Sequence, residues 1–165
     1  MTLDQPHLKQ KHTFSDFLYT IMSSAIPFLL GCLAIAKSSV LLMVIYIVLG
    51  LAMVFIIYRF YCTHCPHYTG TDKTVKCMFF WGLPKFFSTT PGPLTGLEKA
   101  ITFSAAIALF IFPIYWFLSQ PMLLIIYLLS SAVLVMGIRR NECGQCIYFD
   151  CPANNVPEAK KNQGV

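Results

Sequence analysis

Six of the seven cysteines hold most of the chemistry open to this chain, and four of them form two CxxC pairs, Cys62/Cys65 and Cys143/Cys146. Two thiolates three positions apart on a tight turn can occupy neighbouring corners of a metal tetrahedron. One such pair is weak evidence, but these two are matched. A shift of 81 residues lays Arg59-x2-Cys62-x2-Cys65 on Arg140-x2-Cys143-x2-Cys146 without a gap. The same shift pairs Leu42 with Leu123, Ile45 with Ile126, Tyr46 with Tyr127, Val54 with Val135 and Ile57 with Ile138. Apolar matches come cheaply; Tyr, Arg and two Cys in one register point to a duplicated unit.

The simplest site these residues predict is one metal held by Cys62, Cys65, Cys143 and Cys146, with Cys77, Cys151, His64 and His67 close enough in sequence to add ligands. The count also allows two sites. Cys62, Cys65, His67 and Cys77 would make one, and Cys143, Cys146 and Cys151 another. Separated knuckles with histidine nearby favour zinc. Cys65-Pro66 and Cys151-Pro152 resemble the Cys-Pro ending of bacterial ferredoxin cluster motifs, without the compact run of four cysteines, and favour an iron–sulfur cluster. The metal is therefore expected to be zinc or an iron–sulfur cluster. Arg59 and Arg140 are first of all topological anchors at helix ends. Three residues before each thiolate pair, their guanidinium groups could also offset the negative charge of a bound cofactor.

These pairs need elements to position them, and composition says where those elements lie. Apolar residues make up 56% of the 165 and charged residues only 12%, about half the soluble norm of roughly 25%. Four uncharged apolar runs, 17–36, 40–58, 100–118 and 122–138, approach the ~20 residues a helix needs to cross a hydrocarbon core. The expected fold is an all-α integral membrane protein of four transmembrane helices, arranged as two tandem hairpins, each followed by a CxxC knuckle. The fourth run is short and carries Ser130, Ser131 and Gly137, which suit close helix packing.

Of the 12 Lys and Arg residues, only Lys37 falls in a short hairpin turn. The positive-inside rule then puts both termini, the central loop and the knuckles in the cytoplasm of a multi-pass protein of the cell's inner or plasma membrane. A reducing cytosol favours metal ligation over structural disulfides for these thiols. Palmitoylation of juxtamembrane cysteines is the plainer alternative, though six thiols exceed what anchoring needs beside four spans. Cys32, within the first run, reads as a small packing residue.

Residues 1–12 read as a polar tail, 13–65 as the first repeat, 66–94 as a connecting loop, 95–151 as the second repeat and 152–165 as a second polar tail. Thr13-x2-Asp16 and Thr95-x2-Glu98 match the capping box that opens a helix. The loop turns aromatic from Met78 to Phe87, which suits either a segment at the bilayer surface or rings folded against the metal site.

None of the four runs contains Asp, Glu, Lys, Arg or His, which argues against an ion pump or proton-coupled transporter. No phosphate loop, HExxH or G-x-S-x-G motif occurs, so any reaction would be run by metal or thiols. The net charge of +5 serves topology and anionic headgroups and implies no nucleic acid. The sequence thus predicts an electron-transfer subunit in a lipid bilayer, with a protein partner subunit and a quinone as candidate redox partner. A zinc-clasped membrane scaffold is the alternative. A thiol-disulfide exchange protein would require the cysteines to face an oxidising compartment.

Overall fold

The computed structural model describes residues 8, 9, 12–69, 73–90, 92–147, 149 and 154–158. Among these, four helices are long and apolar enough to cross a membrane: Phe14–Ala36, Val40–His64, Gly96–Phe117 and Pro121–Cys143. Their regular α-helical parts are α1 (Phe14–Ala36), α2 (Val40–Ile56), α4 (Gly96–Ile111) and α6 (Pro121–Gly137), with the short helices α3 (Pro66–Thr69) and α5 (Ile114–Phe117) between them.

Local chemistry explains where these helices begin and break. Thr13 and Thr95 each accept the amide of the residue three on, at 3.4 Å, through their side-chain oxygens. Asp16 and Glu98 reach back to the threonine amides at 2.8 and 2.9 Å, which completes two capping boxes. Between α4 and α5 stands Pro113, which has no amide proton to continue the ladder. Phe110, just before the break, has its carbonyl capped by the Tyr127 hydroxyl at 2.8 Å, so a carbonyl near the break finds a donor inside the bundle.

α1 packs most extensively against α6 and also runs along α2, while α2 packs on α4. Small residues permit these approaches. A side chain at Gly137 would run into the Tyr19 hydroxyl, and one at Gly31 would meet the Tyr46 hydroxyl at 2.8 Å. Tyr46 is buried between Phe28 and Phe112, stacked at 5.1 and 5.7 Å. The outer faces keep Leu41, Leu51, Leu129 and Met136 exposed. Against lipid tails such faces need no cover, and packing rather than water exclusion must hold the helices together.

Both α2 and α6 continue past their apolar stretches in a widened π-helical turn, at Ile57–Tyr61 and Ile138–Cys143. The starts of these turns, Ile57 and Ile138, are separated by the same 81 residues as the cysteine pairs. At the opposite end Lys37 Nζ donates to Gln120 Oε1 at 2.8 Å, tying the two short connections together.

The all-α expectation needs one amendment. Strands β1 (Thr74–Lys76) and β2 (Trp81–Pro84) form an antiparallel ribbon with an irregular register, where Gly82 takes a φ of 78°. The ribbon folds its rings inward: Phe80 joins Tyr58, Cys62, Tyr68, Val75 and Cys77 in a buried cluster. The Tyr58 hydroxyl donates to Pro84 O at 2.6 Å and that of Tyr68 to Phe87 O at 2.8 Å. Phe86 stays 71% exposed, so the aromatic segment has an inner and an outer side.

Candidate metal centre

Three stretches of chain bring the thiols together. The π turn after α2 runs into a 3-10 turn at Cys62–His64, closed by the Cys65 amide donating to Cys62 O at 3.0 Å. The ribbon turn carries Cys77, whose amide donates to Phe80 O at 2.8 Å. The turn after α6 carries Cys143 and Cys146. Cys62, Cys65, Cys77, Cys143 and Cys146 line one cavity of about 80 Å³, and all five are thiols. Cys151 lies outside the described residues.

The first knuckle forms an apolar wall. Cys62 is buried among Tyr58, Tyr68, Val75 and Phe80. Cys77 is buried as well, and burial pushes its thiol pKa up, despite the amides of Met78, Phe79 and Phe80 that favour the thiolate. An opposite charge supplied by a metal would remove that penalty.

The second knuckle forms a polar wall, built in part by residues remote from it in sequence. His12, in the polar stretch ahead of the first helix, is buried at 6% exposure and lines the cavity. Lys9 docks on the second knuckle: its N donates to Gln145 O at 2.6 Å, and its Nζ lies 3.0 Å from Glu142 and 3.1 Å from Asp16. Part of the expected C-terminal tail returns too. Asn155 N donates to Cys143 O at 3.1 Å, Asn154 Nδ2 donates to Cys146 O at 3.0 Å, and Val156 is buried.

His12, His67 and Cys146 offer ligand atoms all within 4.8 Å of one another, as do His12, Asp16 and Glu142. Among the described residues, no three cysteines converge that closely. His12 Nδ1 and Glu142 Oε2 are 2.9 Å apart, an ion-pair contact whose angles fall outside hydrogen-bond geometry. Buried polar atoms are normally satisfied; His12 Nδ1 and Glu142 Oε2 answer each other as an ion pair, whereas the buried Nε2 of His67 has no hydrogen-bond partner at the cavity. Burial alone would lower the His12 pKa, but contacts with Cys146 and Glu142 outweigh it and push it up to about 9.

Three residues expected near the metal stand elsewhere. His64 is buried with Nδ1 2.9 Å from Gly92 O and Nε2 3.4 Å from Glu98 Oε1, so both nitrogens are taken up in tying the first knuckle to the start of α4. Arg59 lays its guanidinium over the Phe60 and Phe87 rings, 5.6 and 5.3 Å from their centroids, where a weakly hydrated cation is well accommodated. Arg140 is exposed, and neither arginine lines the cavity. His12 gave no signal in the sequence because it lies far from both knuckles, whereas Glu142 sits beside Cys143 and could have been weighed with it.

The fold and this cavity define a multi-pass membrane protein with a thiol-rich chamber at one end of its helices. No protein-family model matches the chain, nor does any curated protein or solved structure.

Proposed function

We propose that this chain is an electron-transfer subunit of the cell's inner or plasma membrane, with an iron–sulfur cluster in the cysteine cavity on the cytoplasmic side. The observation that carries the reading is the set of five thiols from three chain segments around one cavity, more than a single tetrahedral ion can take. An iron–sulfur cluster is held by four cysteine thiolates.

The two knuckles belong to two tandem hairpins of a duplicated unit. That organisation is supported by the matched π turns, the matched capping boxes, and the pairing of α1 with α6 and of α2 with α4. Parallel repeats about an axis along the membrane normal would pair these helices in that way.

In this role a reduced soluble protein passes one electron to the oxidised cluster, which passes it to a membrane quinone or a neighbouring subunit. Two electrons and two protons convert the quinone to quinol. The test is reoxidation in liposomes: the chemically reduced protein, purified without oxygen, is mixed with a quinone in the same bilayer. Recovery of the oxidised spectrum with quinol formed supports the role; a reduced centre that persists indefinitely beside quinone removes the quinone from it.

A zinc-clasped scaffold is the second reading, and the His12, His67 and Cys146 group favours it. Structural zinc is worth roughly 10–16 kcal/mol in small peptides, ample to hold two helix pairs in register.

A further inference from the structure

We infer that the chamber holds two metal sites, and that His12, His67 and Cys146 form the second, a mononuclear site for a divalent late transition ion such as zinc. The inference rests on the chamber's being a metal centre, and it divides the ligands within it. The three residues offer two nitrogens and one sulfur within 4.8 Å of one another, a span a single ion can bridge. Assigning Cys146 to this ion leaves Cys62, Cys65, Cys77 and Cys143 lining the cavity, the four thiolates that one cluster takes.

The surroundings match a histidine-ligated ion. Glu142 Oε2 sits 2.9 Å from His12 Nδ1, an ion-pair contact that holds the imidazole beside the second knuckle. The orphaned Nε2 of His67 is the nitrogen available from the other histidine, and the two rings meet edge to face at 4.6 Å. Lys9 holds Glu142 at 3.0 Å and so fixes that carboxylate in turn. Three protein ligands leave a fourth position for water or an exchangeable group, as in zinc sites that do chemistry rather than hold structure.

The site also spans the molecule. His12 precedes the first helix, His67 follows the first knuckle and Cys146 belongs to the second, so one ion would pin His12 across both. The parallel bridge between Lys9 and Cys146 already sets Lys9 beside the second knuckle.

The test uses the full chain in detergent without oxygen, treated with a chelator to remove labile divalent ions and then titrated with Co²⁺. One equivalent is expected to bind, with X-ray absorption at the cobalt edge showing a mixed shell of nitrogen and sulfur. His12→Ala and His67→Ala should each weaken Co²⁺ binding at least tenfold with iron and sulfide unchanged, and Glu142→Gln should weaken it by about 10–100-fold. The wild-type absorption spectrum keeps the test valid if a variant fails to fold. An all-sulfur cobalt shell, or undiminished binding by folded histidine variants, overturns the inference. Loss of iron together with cobalt in those variants overturns it too, because the histidines would then belong to the cluster, while the metal-centre reading stands. Wild-type protein that binds neither iron nor cobalt overturns both.

Discussion

The two knuckles share a spacing, a preceding arginine and a π-helical turn, yet they face different company. Cys62 is walled by Tyr58, Tyr68, Val75 and Phe80, with burial that penalises a bare thiolate. The second knuckle, Cys143 and Cys146, shares its wall with His12 and Glu142, and Lys9 is hydrogen-bonded to Glu142. Two cysteine pairs of the same spacing thus stand against an apolar wall and a polar wall. Part of the difference lies in the matched positions, where the shift of 81 sets Tyr58 and Tyr61 against Arg139 and Glu142, and part beyond them, where the aromatic ribbon adjoins the first pair and Lys9 and His12 adjoin the second.

The largest effect should come from breaking both walls at once. Cys62→Ser with Cys143→Ser is expected to abolish iron binding and to cost stability on the scale of structural metal sites, several kcal/mol or more. Elemental analysis and detergent melting check this, and retained iron with unchanged melting would contradict a shared cluster site. Cys32→Ser, on α1, should change neither quantity.

A smaller effect tests the helix pairing beneath the chamber. Gly137→Leu should force Tyr19 aside and cost about 1–3 kcal/mol by overpacking, visible as a lowered melting temperature. Adding Tyr19→Ala should recover part of the loss. No recovery would mean that α1 and α6 do not meet at that point.

The apolar wall can be sharpened by Tyr58→Phe, which removes the hydrogen bond to Pro84 O and should cost about 1 kcal/mol. The smallest comparison is between the two starting caps. Thr13→Ala and Thr95→Ala should each cost about 1 kcal/mol in melting experiments, and their near equality is what a duplicated unit requires.

The four spans were legible because a membrane helix must be apolar along its whole length, and no other local constraint produces such runs. Their ends were less so. The third helix starts at Gly96, four residues before its apolar run, because the Thr95 cap sets the start and tolerates Glu98 and Lys99 in the first turn. The fourth continues to Cys143 because Arg139 and Arg140 are compatible with a helix leaving the bilayer.

The thiols were legible from spacing, which is local. His12 was not, since its place depends on a backbone bridge between Lys9 and the second knuckle. His64 misled for the opposite reason. It lies within the first knuckle, but a loop carbonyl and Glu98 compete successfully for its ring. The ribbon was hidden because Met78 to Phe87 has no clean alternation, and its register depends on Gly82 and on tyrosines from other segments.

The most direct measurement is metal and acid-labile sulfide analysis, with a visible spectrum, on protein purified in detergent without oxygen. Iron and sulfide in similar amounts, with thiolate-to-iron absorption that bleaches on reduction, are the result this account predicts. Colourless protein holding zinc alone would contradict the electron-transfer role and leave a zinc-clasped scaffold in its place.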